Sequence, residues 1–98
     1  MDYNFLIYKY MTYKEDYNKK YGYRKNKSHS LEDISKKTGY KLSGLKTIYK
    51  KGQGAFYSNP QSVRKHIKSD EEWGMARVYA SINPKSKAHK IDKIHLKK

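Results

Sequence analysis

The sequence predicts an all-α fold, a small domain of four to five short helices with a helix-turn-helix-like pair and basic terminal arms. Three observations carry that expectation. Residues that favour helix starts precede apolar stretches at Ser30, Asn59-Pro60 and Ser69. Glycines stand where two such stretches end, at Gly39 and Gly52. Between these marks the apolar residues recur three and four positions apart, the period of one helix face.

Residues 1–30 read as a tyrosine-rich basic N-terminal segment, arm or helix. Phe5, Leu6, Tyr8, Tyr10, Met11, Tyr13 and Tyr17 fit one helical stripe, while the alternation around Tyr8 and Tyr10 also fits a strand. From Asn18 to Ser30 there are five basic residues, no acid and no steady apolar spacing, which predicts a solvated linker or arm. Residues 31–83 read as the helical domain. Its first helix covers 31–38, with Ser30 as N-cap, Asp33 placed as in a capping box and Gly39 as the stop. A second helix, from Ser43 to Lys51, turns Leu45 and Ile48 inward. It sets Lys50 and Lys51 against its C-terminal dipole and stops at Gly52. Asn59-Pro60 opens a short helix over 60–67 that buries Val63 and Ile67. Ser69-Asp70-Glu71-Glu72 is a full capping box. The helix it opens carries Trp73, Ala76, Val78, Tyr79 and Ile82, and Asn83-Pro84 stops it. Residues 84–98 read as a basic C-terminal tail.

The 98 residues hold 23 Lys and Arg against 9 Asp and Glu, a formal charge of +14. A mean hydropathy of -1.15 leaves little material for a core. Eleven tyrosines, two phenylalanines and Trp73 are nevertheless more aromatic mass than disordered tails carry. The charge is uneven: +4 over residues 1–30, +4 over 31–52, +1 over 53–83 and +5 over 84–98. The near-neutral third segment is therefore expected in the core and the ends outside it. The absence of cysteine excludes disulfides and thiolate metal sites. The four histidines form no close pair at ligand spacing, so neither metal nor cofactor is expected. The longest apolar run, Phe5-Leu6-Ile7-Tyr8, is too short to cross a bilayer. No membrane partner is expected, and the chain reads as soluble and intracellular.

So large a positive excess calls for a polyanion. Residues 31–50, LEDISKKTGYKLSGLKTIYK, fit helix-turn-helix spacing. Ile34, Leu45 and Ile48 supply the contacts between the helices, Ser35 permits close approach, and Gly39 falls where the turn needs positive φ. The outward residues are then Ser43, Gly44, Lys46, Thr47 and Lys50, with Lys41 in the turn. They include no Arg to read guanine and no Asn or Gln to read adenine. Lysines and hydroxyls suit phosphates instead, so the expected partner is double-stranded DNA bound with little sequence preference. RNA stays open, because lysine does not distinguish the two. Lys19, Lys20, Arg24, Lys25 and Lys27 around Tyr21 and Tyr23 extend the expected contacts, as do Lys85, Lys87 and Lys90 and the further tail lysines Lys93, Lys97 and Lys98. Lys51, Arg64, Lys65 and Arg77 complete them. Tyr21 and Tyr23 either stack on bases of a single strand or cover core edges, and the second use is the commoner.

No catalytic constellation stands out. Asp70, Glu71 and Glu72 are explained by the first turn of a helix. His66 beside Arg64 and Lys65 has no metal-binding carboxylate linked to it, and His89 and His95 read as tail cations. Gly52-Gln53-Gly54 lacks the Lys-Ser/Thr and the preceding strand of a phosphate loop and reads as a helix stop.

Gly52-Gln53-Gly54-Ala55-Phe56, then Arg64, then Trp73-Gly74-Met75-Ala76-Arg77-Val78-Tyr79 carry a resemblance. Over roughly residues 31–98 the chain resembles an uncharacterised family of small basic domains in large double-stranded DNA viruses and phages. A proline commonly follows the loop arginine in that pattern, whereas Lys65 follows Arg64 here. The resemblance implies a viral protein carried in the virion, or in the host nucleus or a cytoplasmic viral factory, where a basic DNA binder serves genome packaging or condensation. It also implies a use for Arg77, either at the surface beside Gly54 or buried against Asp70. Two other classes compete. One is a minor capsid or internal scaffold protein; the other is a helix-turn-helix transcription regulator, for which the chain offers no dimer seam. An N-terminal tyrosine stripe that docks between molecules would add self-association on DNA.

Overall fold

The computed structural model describes residues 13–58 and 69–96. All regular structure among them is helical: α1 Tyr13–Lys20, α2 Leu31–Thr38, α3 Leu42–Ser58, α4 Asp70–Ser81 and α5 Lys87–Asp92, with a 3-10 turn at Lys93–His95. The all-α expectation therefore holds. The stripe from Phe5 to Met11 and the expected helix over 60–67 lie outside the described residues.

Local chemistry sets most of the helix ends. Ser30 Oγ accepts from the Asp33 amide at 3.1 Å, and Gly39 closes α2 at φ 82, with its N–H on the Ser35 carbonyl. Ser35 Oγ donates to the Tyr40 carbonyl at 2.6 Å, which fixes the three-residue turn into α3. Ser69 Oγ caps α4 through the Glu72 amide at 3.1 Å. After α4, the Asn83 side chain accepts from the Lys85 amide at 2.9 Å. Ser86 then caps α5 through the His89 amide at 3.1 Å, and its hydroxyl donates to the Ala80 carbonyl.

One core joins α1 to α4 and the C-terminal end. Tyr17 comes from α1, Ile34 from α2, Leu45 and Ile48 from α3, Val78 and Tyr79 from α4, and Leu96 from the C-terminal end. Burying each such side chain is worth about 1.5–3 kcal/mol, which allows a chain of this charge to close into a body with a radius of gyration of 12.9 Å.

Three expectations are corrected. Gly52 is no stop: α3 runs through it to Ser58, because Gly52 lies against the backbone of α4. A Cβ there would stand 2.7 Å from Gly74 Cα, so this glycine provides close approach of two helices, not a left-handed turn. Second, the stretch from Asn18 to Ser30 is not a solvated arm. Asn18 is fully buried; its Nδ2 donates to the Lys25 and Lys27 carbonyls at 2.8 and 3.1 Å, and its Oδ1 accepts from His29 Nε2 at 2.6 Å. Third, residues 84–96 are folded onto the core, where Asp92 and Leu96 are buried. Asn18 organises the N-terminal end and the Asp92 carboxylate the C-terminal end, and neither leaves an apolar period in the sequence.

Candidate functional site

Lys51, Arg77, Ser81 and Asp92 converge beside the crossing of α3 and α4. Asp92 is 0% exposed. Its carboxylate accepts from Arg77 Nε at 3.0 Å and Nη2 at 3.1 Å, from Lys51 Nζ at 2.9 Å and from Ser81 Oγ at 2.5 Å. Burial alone would raise its pKa. The hydrogen bonds from Arg77, Ser81 and Lys51, with the Arg77 charge, outweigh burial and hold it at about 2. The group stays ionised and offers no proton for acid–base work near neutral pH. What it does is fix two cations. Arg77 spends Nε and Nη2 on the carboxylate, so Nη1 lies outside the pairing, and the Lys51 side chain remains 40% exposed. Two positive charges against one negative leave the cluster with a net positive charge facing outward. Neither expected setting for Arg77 is found: its partner is Asp92, while Asp70 accepts from Gln53 Nε2 at 3.2 Å.

A second feature is the distribution of the acids. Glu15 and Asp16 occupy the first turn of α1, Glu32 and Asp33 that of α2, and Asp70, Glu71 and Glu72 that of α4. Asp92 is buried in its latch. Helix dipoles and one internal ion pair thus absorb every described carboxylate. No acid lies in α3. Its exposed face carries Ser43, Lys46, Thr47, Lys50, Gly54 and Tyr57, with Lys41 exposed in the turn before it. Lys41, Lys46 and Lys50 form no ion pair among the described residues. The acids that approach α3 do so at other residues, Glu71 and Asp70 near Tyr49, Asp70 at Gln53 and Asp92 at Lys51.

The start of α3 is partly covered. Gly44, expected to face outward, is buried: a Cβ there would overlap the His95 carbonyl oxygen at 1.8 Å. The 3-10 turn therefore lies on the first turn of the helix that would enter a groove, although Ser43 beside it stays exposed.

The other expected site residues are dispersed. Lys19 and Lys20 are exposed at the end of α1. Arg24, Lys25 and Lys27 are exposed on the loop pinned by Asn18, with Lys25 Nζ 3.9 Å from Glu15. Lys85 follows α4, while Lys87 and Lys90 are exposed on α5. Arg64, Lys65, Lys97 and Lys98 lie outside the described residues. His89 and His95 belong to the folded C-terminal end: the His89 Nδ1–H donates to the Ser81 carbonyl at 2.8 Å, and the His95 backbone carbonyl covers Gly44.

Tyrosines gather around Tyr79, which lies between Arg77 and Ser81 in the C-terminal half of α4. Tyr17 packs on Tyr21, Tyr23, His29 and Tyr79, with ring centroids 4.8, 6.5, 5.1 and 5.6 Å away. Burial pushes the Tyr79 hydroxyl up to about 12. That hydroxyl lies near the His29 backbone, short of hydrogen-bond geometry and unpartnered among the described residues. His29 is held below its usual range by burial first and then by Lys27, which suits the neutral ring that donates to Asn18. Among the described residues no group of three or more His, Cys, Asp or Glu is placed to hold a metal. None of their helices is long and apolar enough to cross a membrane.

Fold and surface together define a small all-helical basic domain, its described carboxylates spent on helix ends and one internal latch and most of its described lysines left at the surface. The chain belongs to a family of unknown function (DUF5824), whose model matches residues 6–95. That match takes in every element from α1 to the 3-10 turn, so both ends are part of the family's domain. No curated protein and no solved structure matches the chain.

Proposed function

We propose that this protein is a non-enzymatic, sequence-independent DNA-binding protein that contacts the phosphate backbone through the exposed face of α3. The observation that carries the reading is the acid-free stripe of Lys41, Ser43, Lys46, Thr47 and Lys50. Lysines without ion-pair partners exchange small counterions for phosphates at little cost, and binding then weakens steeply with salt. Two features favour backbone contact over base reading: the stripe lacks the Arg, Asn and Gln pairings of the major groove, and the 3-10 turn covers Gly44 at the start of α3. The Lys51–Arg77 pair, held by Asp92, supplies a further cationic point directly after Lys50 along α3. A viral origin and a role in packing a genome into a virion extend this reading through the motif resemblance.

Lys46→Gln/Lys50→Gln tests it. At about 0.9 per phosphate contact, the slope of log affinity against log salt for random duplex DNA should fall by nearly two, with thermal stability unchanged. An unchanged slope would remove α3 from the interface.

A second reading, contact with a protein partner or self-association along DNA, is favoured by Ile91 and Ile94, which are 63% and 68% exposed beside Lys87, Lys90 and Lys93. Self-association would appear as cooperative binding curves.

A further inference from the structure

A cleft of about 680 Å³ opens between the end of α1, the turn before α3 and the end of α4. Its volume lies in the range of small-ligand sites. Tyr17, Tyr21, Tyr40 and Tyr79 line it, and the exposed Lys19, Lys20 and Lys85 join them. Aromatic faces and amines converge here from four separate parts of the chain. Asp16 is the one carboxylate in the lining, and it accepts from Asn83 Nδ2 at 3.4 Å. Tyr21 is half-buried. It leans on Tyr17 at 4.8 Å, and the amines of Lys20 and Lys37 lie 5.4 and 5.8 Å from its ring centroid. Both amines lie over the ring, and a base that displaces the exposed Lys20 side chain stacks there in its place while its phosphate meets the amines. A duplex cannot present that combination, because its bases are already stacked on each other.

We infer that the cleft between α1 and the end of α4 receives one unpaired nucleotide of a single strand, its base against Tyr21 and its phosphate against Lys19, Lys20 and Lys85. The inference rests on the nucleic-acid reading above and adds a preference for unpaired over paired DNA. It gives Tyr21 the stacking use that the sequence left open, and leaves Tyr17 and Tyr79 as the packed floor.

The test compares an eight-residue oligothymidylate with a duplex of equal length at equal salt, following backbone amide resonances of the full chain. Thymidine monophosphate, thymidine and inorganic phosphate are titrated alongside. Saturable shifts at Tyr21, Tyr40 and Lys85 are expected with the oligonucleotide and the monophosphate, and weaker ones with thymidine or phosphate alone. Tyr21→Leu should weaken the single strand by roughly fivefold or more, the effect of one lost base stack, and leave the duplex unchanged. Because that variant touches the packed ring of Tyr17, a second, Lys19→Gln/Lys20→Gln/Lys85→Gln, changes only exposed side chains; it should abolish the monophosphate shifts. Phosphate acting as strongly as the monophosphate would overturn base recognition. Shifts confined to Lys46 and Lys50 with both DNAs would overturn the cleft and leave the backbone reading standing, whereas no shift with either DNA would defeat both.

Discussion

Asp92→Ala should lower the free energy of unfolding by about 3 kcal/mol, the lower part of the range for breaking a buried ion pair. The carboxylate is the common acceptor for Arg77, Lys51 and Ser81, which tie α3 and α4 to α5. Removing it leaves the Arg77 guanidinium, mostly enclosed, beside a second cation with nothing between them. The half-open position of Lys51 lets solvent screen part of the loss, so the lower end of the range applies. The same latch sets an acid limit. The folded carboxyl titrates at about 2, below its ordinary value of 3.8, so its contribution is complete above about 4 and disappears as pH falls from there toward 2. Urea unfolding at pH 7 and across that acid window checks both statements. The Asp92→Ala variant should lose the part of the pH dependence that this carboxyl contributes. A loss at pH 7 below about 1 kcal/mol would mean that apolar packing of Leu96, not the latch, holds the C-terminal end in place.

Gly52→Ala should cost about 2 kcal/mol, against a gain of roughly 0.5–1 kcal/mol for Gly54→Ala two residues away. Both glycines lie inside α3, where alanine has the better helix propensity. Their surroundings decide the sign. A Cβ at Gly52 meets Gly74 Cα at 2.7 Å, the Trp73 carbonyl at 3.1 Å and Arg77 Cβ at 3.1 Å, and backbone atoms cannot rotate away. A Cβ at Gly54 meets nothing within 4 Å. Forcing the helices apart at Gly52 also displaces Arg77 from Asp92, so the packing loss and the latch are coupled. Opposite shifts in melting temperature for the two variants would confirm the crossing. Equal shifts would show that the helices do not meet there.

These two sites also show what could be read in advance. Ser30, Gly39, Ser69 and Asn83 act on backbone groups two to four residues away, and the sequence displays both partners side by side; α2 and α4 are legible for that reason. Ile34, Leu45 and Ile48 were legible through helical spacing, and all three are fully buried. Gly52 was not, because a glycine that lets helices touch looks the same in sequence as one that ends a helix. Asp92 pairs with residues 15 and 41 positions away; the only local sign was a lone acid in a tail of six lysines. Asn18 organises its loop through carbonyls, which carry no side-chain signature. The cations of α3 were named from the sequence. That Lys46 and Lys50 form no ion pair with a described acid, while Lys51 pairs with Asp92, emerged only once the helices were packed.

The central claim is that lysines left without carboxylate partners bind phosphate backbones, and a salt titration of the intact protein with random duplex DNA tests it most directly. The account predicts a linear fall of log affinity with log salt, at about 0.9 per phosphate contacted and with at least three contacts, and no more than a small difference between unrelated sequences. Binding that barely changes with salt, or no binding to duplex DNA even in dilute buffer, would contradict it.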